Sequence, residues 1–254
     1  MERLLEATAR AERDHFWFRG FRRFVRPFVA RAVKEAEVGA GAARGRAAVE
    51  ILDCGCGTGH NLTLLREFGR AYGIDLTWTG LQVAHARGER KIARATAAAL
   101  PFGSARFDLV TSFDVIYALD DDVERAAIGE MFRVLKPGGH IVVNAAALDS
   151  LRGNHSILAG EVRRYGRRDL RRRLEAAGFT IERATYTNLA ILPMVAGVRL
   201  LQRIAGHEES HEEISVPPRP INAVLSGLLA AEAAVVRHVD MPIGSSLLVL
   251  ARKP

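Results

Sequence analysis

Residues 49–62 read Val49-Glu50-Ile51-Leu52-Asp53-Cys54-Gly55-Cys56-Gly57-Thr58-Gly59-His60-Asn61-Leu62. Val49, Ile51 and Leu52 open the stretch as a short apolar strand. Glycines follow at 55, 57 and 59, and a helical pattern resumes at Leu62, Leu64, Leu65 and Phe68. Strand, glycine turn and helix together build a cradle for a nucleotide-type ligand: the chain must turn tightly, and the ligand must approach bare backbone. The dinucleotide fingerprint G-x-G-x-x-G does not fit, because its third glycine would fall on His60.

The next segment, 70–76, reads RAYGIDL, a second buried strand ending in Asp75. An acid about twenty residues past the first glycine sits where Rossmann-like sheets hold a ribose. A strand-end acid capping the next helix, with Thr77 as an alternative cap, is the competing account, and the glycine turn favours ribose. A helix over about 77–88 and a short strand near Lys91–Ala95 follow.

The Asp53-x-Gly55-x-Gly57-x-Gly59 pattern resembles motif I of the class I S-adenosylmethionine (SAM) methyltransferases. Two further stretches strengthen the resemblance: Leu100-Pro101-Phe102 with Phe107-Asp108-Leu109-Val110, and RVLKPGGHIVV over 133–143. It covers 49–187 and the last strand. It implies an α/β fold, a Rossmann-like seven-stranded sheet of order 3-2-1-4-5-7-6 with the final strand antiparallel. It also implies SAM as cofactor and S-adenosylhomocysteine (SAH) as product. Carried over residue by residue, the cofactor positions are Asp53, Gly55, Cys56, Gly57, Gly59, Asn61, Asp75, Leu76, Thr96, Ala97 and Asp114. Thr96 stands where the family often has an acid for the adenine amine, and a hydroxyl accepts less strongly than a carboxylate. Related sequences continue D-V-L-E-H after the fourth strand. Here Asp114-Val115-Ile116-Tyr117-Ala118 removes that His, and Tyr117 is read either as a substrate-orienting group or as a packed aromatic.

The chain of 254 residues carries a net charge of +7, and its hydrophobic content of 48% suffices for a sizeable core. The charge is mostly arginine in an alanine-rich composition and is weak evidence for nucleic acid. The two cysteines, Cys54 and Cys56, point to opposite sides of an extended segment and make a poor disulfide and at best half a metal site. Reduced thiols and an N-terminus charged throughout lead to the expectation of a cytoplasmic chain.

Four parts are expected: an N-terminal helical lid over 1–38, a SAM-binding core over 39–187, a helical insertion over 188–242 and a final core strand over 243–254. The lid reads as helix over 2–37, with interruptions expected near Gly20 and Pro27. Its His15-Phe16-Trp17-Phe18-Arg19 resembles an N-terminal helix of small-molecule methyltransferases, with His15, Trp17 and Arg19 toward the substrate. A helix beginning at Asp120-Asp121-Asp122 is expected to end at a Lys136-Pro137-Gly138-Gly139 stop; the triple acid is not read as a cation site. In the loop over 148–166, His155, Arg163, Arg164 and Tyr165 are placed to meet a substrate. His155 heads the candidates for a general base, followed by Tyr117 and His15.

Seven arginines between Arg163 and Arg173 raise an RNA methyltransferase as the alternative. No aromatic platform is interleaved, so a solvated face or a rim for an anionic substrate is preferred. His207-Glu208-Glu209-Ser210-His211 matches H-E-x-x-H, but its polar, proline-terminated setting argues against zinc. The apolar segments 189–204 and 223–237 fall short of the ~20 residues of a membrane span; a substrate cover, a dimer face and an interfacial lipid contact stay open for them. A monomer or homodimer acting at O or N of a small molecule is the leading reading, and a SAM-binding partner without turnover is the non-enzyme alternative.

Overall fold

The computed structural model describes residues 8–40, 48–149, 160–197 and 216–254. The sheet order is β3-β2-β1-β4-β5-β7-β6, as the resemblance implies. The strands are β1 (Glu50–Cys54), β2 (Arg70–Asp75), β3 (Ile92–Arg94), β4 (Phe107–Phe113), β5 (Leu135–Ala146), β6 (Thr180–Thr187) and β7 (Ser246–Arg252). The first five run parallel. β7 lies antiparallel between β5 and β6, opposing Val143 with Val249 on one side and Ala184 with Val249 on the other.

Both faces of the sheet are covered, so the inner strands are apolar at successive positions rather than alternately. Leu52, Cys54, Val110, Val143 and Val249 face one layer, against α4 (Asp121–Val134) and α5 (Arg167–Ala176). Ile51, Leu109, Val142, Leu248 and Leu250 face the other, against α1 (Phe16–Ala40), α2 (His60–Leu65), α3 (Trp78–Ala86) and α6 (Arg219–Val236). Cys54 and Cys56 fall in opposite layers, both as free thiols. The edges are blunted: β3 has three residues, and on β6 Arg183 caps the end of α6 through the carbonyls of Val236 and Arg237.

Three expectations are corrected. Helix α1 passes through Gly20 and Pro27 without a break; the chain turns earlier, over 12–14. Gly20 is where α6 crosses, since an added Cβ would run into the Leu229 side chain. The second half of α1 is core, with Phe24, Val25, Phe28, Val29 and Ala32 all buried. The Lys136–Gly139 segment is no helix stop. Leu135 already has extended backbone, and Gly138 and Gly139 pair with Lys253 as part of the sheet. Finally, α6 has 18 residues at a mean hydropathy of 1.3, long and apolar enough to cross a membrane by length and composition. It is also a packed element: Leu225, Leu229 and Ala233 are buried, and the Glu232 carboxylate accepts from the amides of Leu189 and Ala190. Its Asn222 clasps the start of α1, accepting from Phe16 N–H and donating to Asp14 O.

Candidate cofactor and acceptor site

The glycine turn stands at the carboxyl tip of β1. Gly55, Gly57 and Gly59 have φ of 84, 49 and 76°, conformations that side chains resist. The amides of Gly55 and Cys56 both donate to Ile74 O, at 2.8 and 2.9 Å, which ties the turn to β2. A Cβ on Gly59 would come within 2.8 Å of Ala84, so this glycine serves the packing of α3.

Asp75 ends β2 beside the turn. Its Oδ2 accepts from Gly57 N–H at 2.7 Å, and its Oδ1 from Thr77 N–H at 2.8 Å and from the Thr77 hydroxyl. The capping and ligand accounts therefore coexist: local donors fix the carboxylate, and a carboxylate retains further lone pairs for a diol. Leu76 and Trp78, exposed by 62% and 58%, leave apolar surface uncovered next to it, suited to a flat heterocycle. Behind the turn, Asp53 is buried; Thr111 donates to its Oδ1 at 2.7 Å, while its Oδ2 has no partner among the described residues. Burial pushes its pKa from 3.8 up to about 7, against the Thr111 hydrogen bond and with help from the Asp75 charge. The curved bare backbone, the fixed carboxylate, the open apolar rim and the orphaned oxygen fit an adenosyl sulfonium ligand.

From the turn a cavity of about 520 Å³ runs toward α1. Gly55, Cys56, Gly57, Thr58 and Asn61 form one wall; His15, Trp17, Phe18 and Phe21 form the opposite one; Asp114, Tyr117, Glu161 and Arg164 close the inner end. Asp114 has φ 60°, a costly conformation for a non-glycine residue. Asn144 holds it from both sides, accepting Asp114 N–H through its backbone and donating its amide to Oδ1 at 2.9 Å. Asp114 is exposed and lines the cavity. Partial desolvation there raises its pKa from 3.8 to about 7; Asn144 and Arg164 oppose the shift and Glu161 adds to it. Burial holds the Tyr117 phenol well above its ordinary value, so it remains a neutral donor. His15 caps α1, its Nδ1 accepting from Trp17 N–H at 3.2 Å. Burial also lowers its pKa, so the ring is neutral with its proton on Nε2.

Of the residues singled out in the sequence, Gly55, Cys56, Gly57, Asn61, Asp114, Tyr117, His15, Trp17 and Arg164 line this cavity. Asp75, Leu76, Thr96 and Ala97 lie outside it, toward the β2–β3 side. Thr96 is exposed and its hydroxyl accepts from Ala98 N–H at 3.3 Å. One substrate assignment is corrected. Tyr165 is 1% exposed, and its hydroxyl donates to Ile116 O; it is a core residue. Arg19 is exposed on α1 and lines an outer groove instead of the cavity. His155 and the 207–211 motif lie outside the described residues. Sequence reasoning missed Glu12, Thr58, Arg22, Glu161, Ser245 and Ser246, all of which line the cavity. Thr58 sits at a variable position of the glycine motif and the others lie in no motif; the spacing of Glu161 and Arg164, three apart and joined at 2.9 Å, carried the other signal.

At least four of the seven arginines suspected of holding RNA make contacts within the fold. Arg163 and Arg173 both meet Asp121 and the buried Glu124, Arg172 and Arg173 meet Asp169, and Arg167 donates to Met241 O. Asp121, from the triple acid, is thus an arginine partner. One group of ligand-type atoms does assemble among the described residues, although no metal was expected: Glu35, His140 and Glu182, within 4.8 Å of one another. It lies at the amino end of the sheet, away from the cavity, and Arg31 bridges both carboxylates at 2.7 and 2.8 Å.

Residues 52–143 match the family described as methyltransferase domain. The chain is 34% identical over 105 residues to demethylmenaquinone methyltransferase of Lactococcus lactis, covering 37% of this chain and 40% of that one. It is 33% identical over 107 residues to malonyl-[acyl-carrier protein] O-methyltransferase of Enterobacter lignolyticus, covering 40% of each. The matched region spans 36–47% of the length of its curated relatives. In three dimensions a SAM-dependent methyltransferase of Thermotoga maritima superposes with a TM-score of 0.54 at 18% identity, covering 92% of this chain and 99% of that one. One from Mesorhizobium loti gives 0.51 at 22%, covering 85% and 97%. Together with the glycine turn and the strand order, these likenesses show a methyltransferase domain over residues 52–143 on the sheet of the class I SAM-dependent methyltransferases, with SAM as its cofactor.

Proposed function

We propose that the chain transfers a methyl group from SAM to an oxygen or nitrogen of a small-molecule acceptor. The observation that carries this reading is the single cavity bounded by the glycine turn on one side and by His15, Trp17, Phe18 and Phe21 on the other. It gives cofactor and acceptor one shared enclosure with an aromatic wall. The curated relatives bear names with different acceptors, so they support the reaction class and leave the acceptor to experiment.

Bound SAM supplies an electrophilic methyl on a sulfonium. The turn and Asp75 set the position of the adenosyl half. The aromatic wall of α1 excludes water and orients the acceptor; such positioning is worth about 7–11 kcal/mol in favourable cases. Asp114 takes the acceptor proton, because its pKa of about 7 makes it a useful base near neutrality. Tyr117, neutral and buried, donates a hydrogen bond that aligns the acceptor atom. His15 is not that base: its Nδ1 is occupied by Trp17 N–H and its other nitrogen carries the proton. Residues 8–22 form the lid, while the rest of α1 belongs to the core.

The test is calorimetric titration with SAM, followed by acceptor-dependent SAH formation across a panel of phenols, amines and carboxylates. Tight SAM binding and turnover with one class are expected. No heat and no thermal stabilisation with SAM would remove the proposal.

A further inference from the structure

Arg19, Arg22, Arg23 and Arg26 recur at spacings of three, one and three, which places them on one stripe of α1. Arg13 precedes the helix, and Arg237 faces the stripe from the end of α6. All six line one groove of about 620 Å³, floored by alanines of α6. Like charges three and four apart on a helix repel. Little on the groove walls offsets this. Arg26 meets Glu67 at 2.5 Å, the only carboxylate among the lining residues. Arg22 and Arg23 donate to the carbonyls of Glu12 and Ser226, which carry no net charge. The neighbouring Glu12 carboxylate is taken by Thr58 and Arg87. The crowding shows in the neighbours: His60 is lowered by burial and then by Arg22, and Arg22 by burial and by Arg19 and Arg23, with Glu12 opposing in both.

The groove also adjoins the reaction cavity, for Arg22 and His60 line both. We propose that it receives a phosphate or diphosphate group of the acceptor, whose reacting end enters the cavity past Arg22 and His60. Guanidinium groups pair bidentately with phosphate oxygens, and a stripe of them matches a polyanion better than a single carboxylate. The assignment of the reacting end rests on the methyltransferase reading; the anion site rests on the groove alone. Phosphate has two sources here: a soluble phosphorylated acceptor, or an anionic lipid headgroup. The latter is suggested by Ile221, Val224, Leu228 and Val235, exposed along the outer face of α6.

The experiment titrates the protein with inorganic pyrophosphate at low salt, beside a parallel SAM titration and sedimentation with phosphatidylglycerol vesicles. The variant is Arg13→Gln/Arg19→Gln; neither guanidinium carries one of the anchoring contacts described above. Expected are pyrophosphate binding that weakens with salt, at least tenfold weaker binding by the variant, and unchanged SAM affinity. Without pyrophosphate, the variant should melt no lower than the parent, because repulsion has been relieved. Vesicle binding that the variant loses, without pyrophosphate binding, assigns the phosphate to a lipid. Absence of both at low salt, or equal binding by parent and variant, overturns the proposal. Loss of SAM binding with pyrophosphate binding intact would strike the methyltransferase reading and spare the groove.

Discussion

The Thr58 hydroxyl, inside the glycine turn, donates to the buried carboxylate of Glu12 at 2.7 Å. This one hydrogen bond joins the segment ahead of α1 to the loop that faces the cofactor. Arg87 completes the clasp, donating to the Glu12 carboxylate and, at 2.9 Å, to Ala9 O.

Breaking the clasp should loosen the cofactor rather than the fold. Hydrogen bonds to charged groups are worth about 1.5–3 kcal/mol. Glu12→Gln is expected to speed SAM dissociation by roughly ten- to a hundredfold, as that range implies. Stopped-flow fluorescence of Trp17 reads the rate. An unchanged dissociation rate with normal folding would show that the segment does not gate the site.

Asp75 both anchors the turn and faces the ribose position. Asp75→Ala should cost SAM affinity about 1–3 kcal/mol through the lost hydrogen bonds. Thr77→Val, which removes only the local hydroxyl donor, should cost less. Calorimetry compares the two; equal losses would mean that Asp75 acts only by holding its own neighbours.

Asp114 sets the pH dependence of turnover. Its pKa is raised to about 7, so the basic form is lost as pH falls through that value. The rate of the chemical step should therefore rise with pH and level off above about 8. Asp114→Asn should lower kcat by about 10²–10⁴ and flatten this ascending limb. A variant that keeps the parent's pH profile would assign the base elsewhere.

Asp53 makes a stability prediction of definite sign. Its folded pKa of about 7 lies above the ordinary 3.8, so the folded state holds a proton that the unfolded chain releases. Its cost is absent below the unfolded pKa, grows as pH rises through that window, and is complete above about 7. Asp53→Asn keeps an acceptor for Thr111 and removes the charge. It should raise stability at pH 8 by about 1–3 kcal/mol, with little effect at pH 4. Denaturant melts at the two pH values test this, and an equal effect at both would contradict it.

The sheet was legible because its signals are local. The glycine turn, the Asp75 strand and the 133–143 stretch each announce themselves within a dozen residues, and together they carry the family resemblance that implies the order of seven strands. The cavity was only half legible. Its glycine wall is a motif, whereas its other wall is assembled from residues far apart in the chain: Glu12, Arg22, Glu161 and Ser245 meet only once α1 has crossed the sheet. Tyr165 misled for a similar reason. A tyrosine beside two arginines looks like a recognition group until packing turns it inward toward Ile116 O. The base proposed here was hidden because the raised pKa of Asp114 comes from its surroundings in the fold, which no pattern of residue types records.

The placement of β7 fixes when the sheet can be finished. Residues 246–252 emerge from the ribosome after every other strand, yet they occupy a gap flanked on both sides. Until they arrive, β5 and β6 expose unpaired amides and carbonyls, and this half-built ledge invites strands of other chains. Cells that make the protein slowly, or truncate it before Ser246, should therefore accumulate aggregates rather than a smaller folded enzyme.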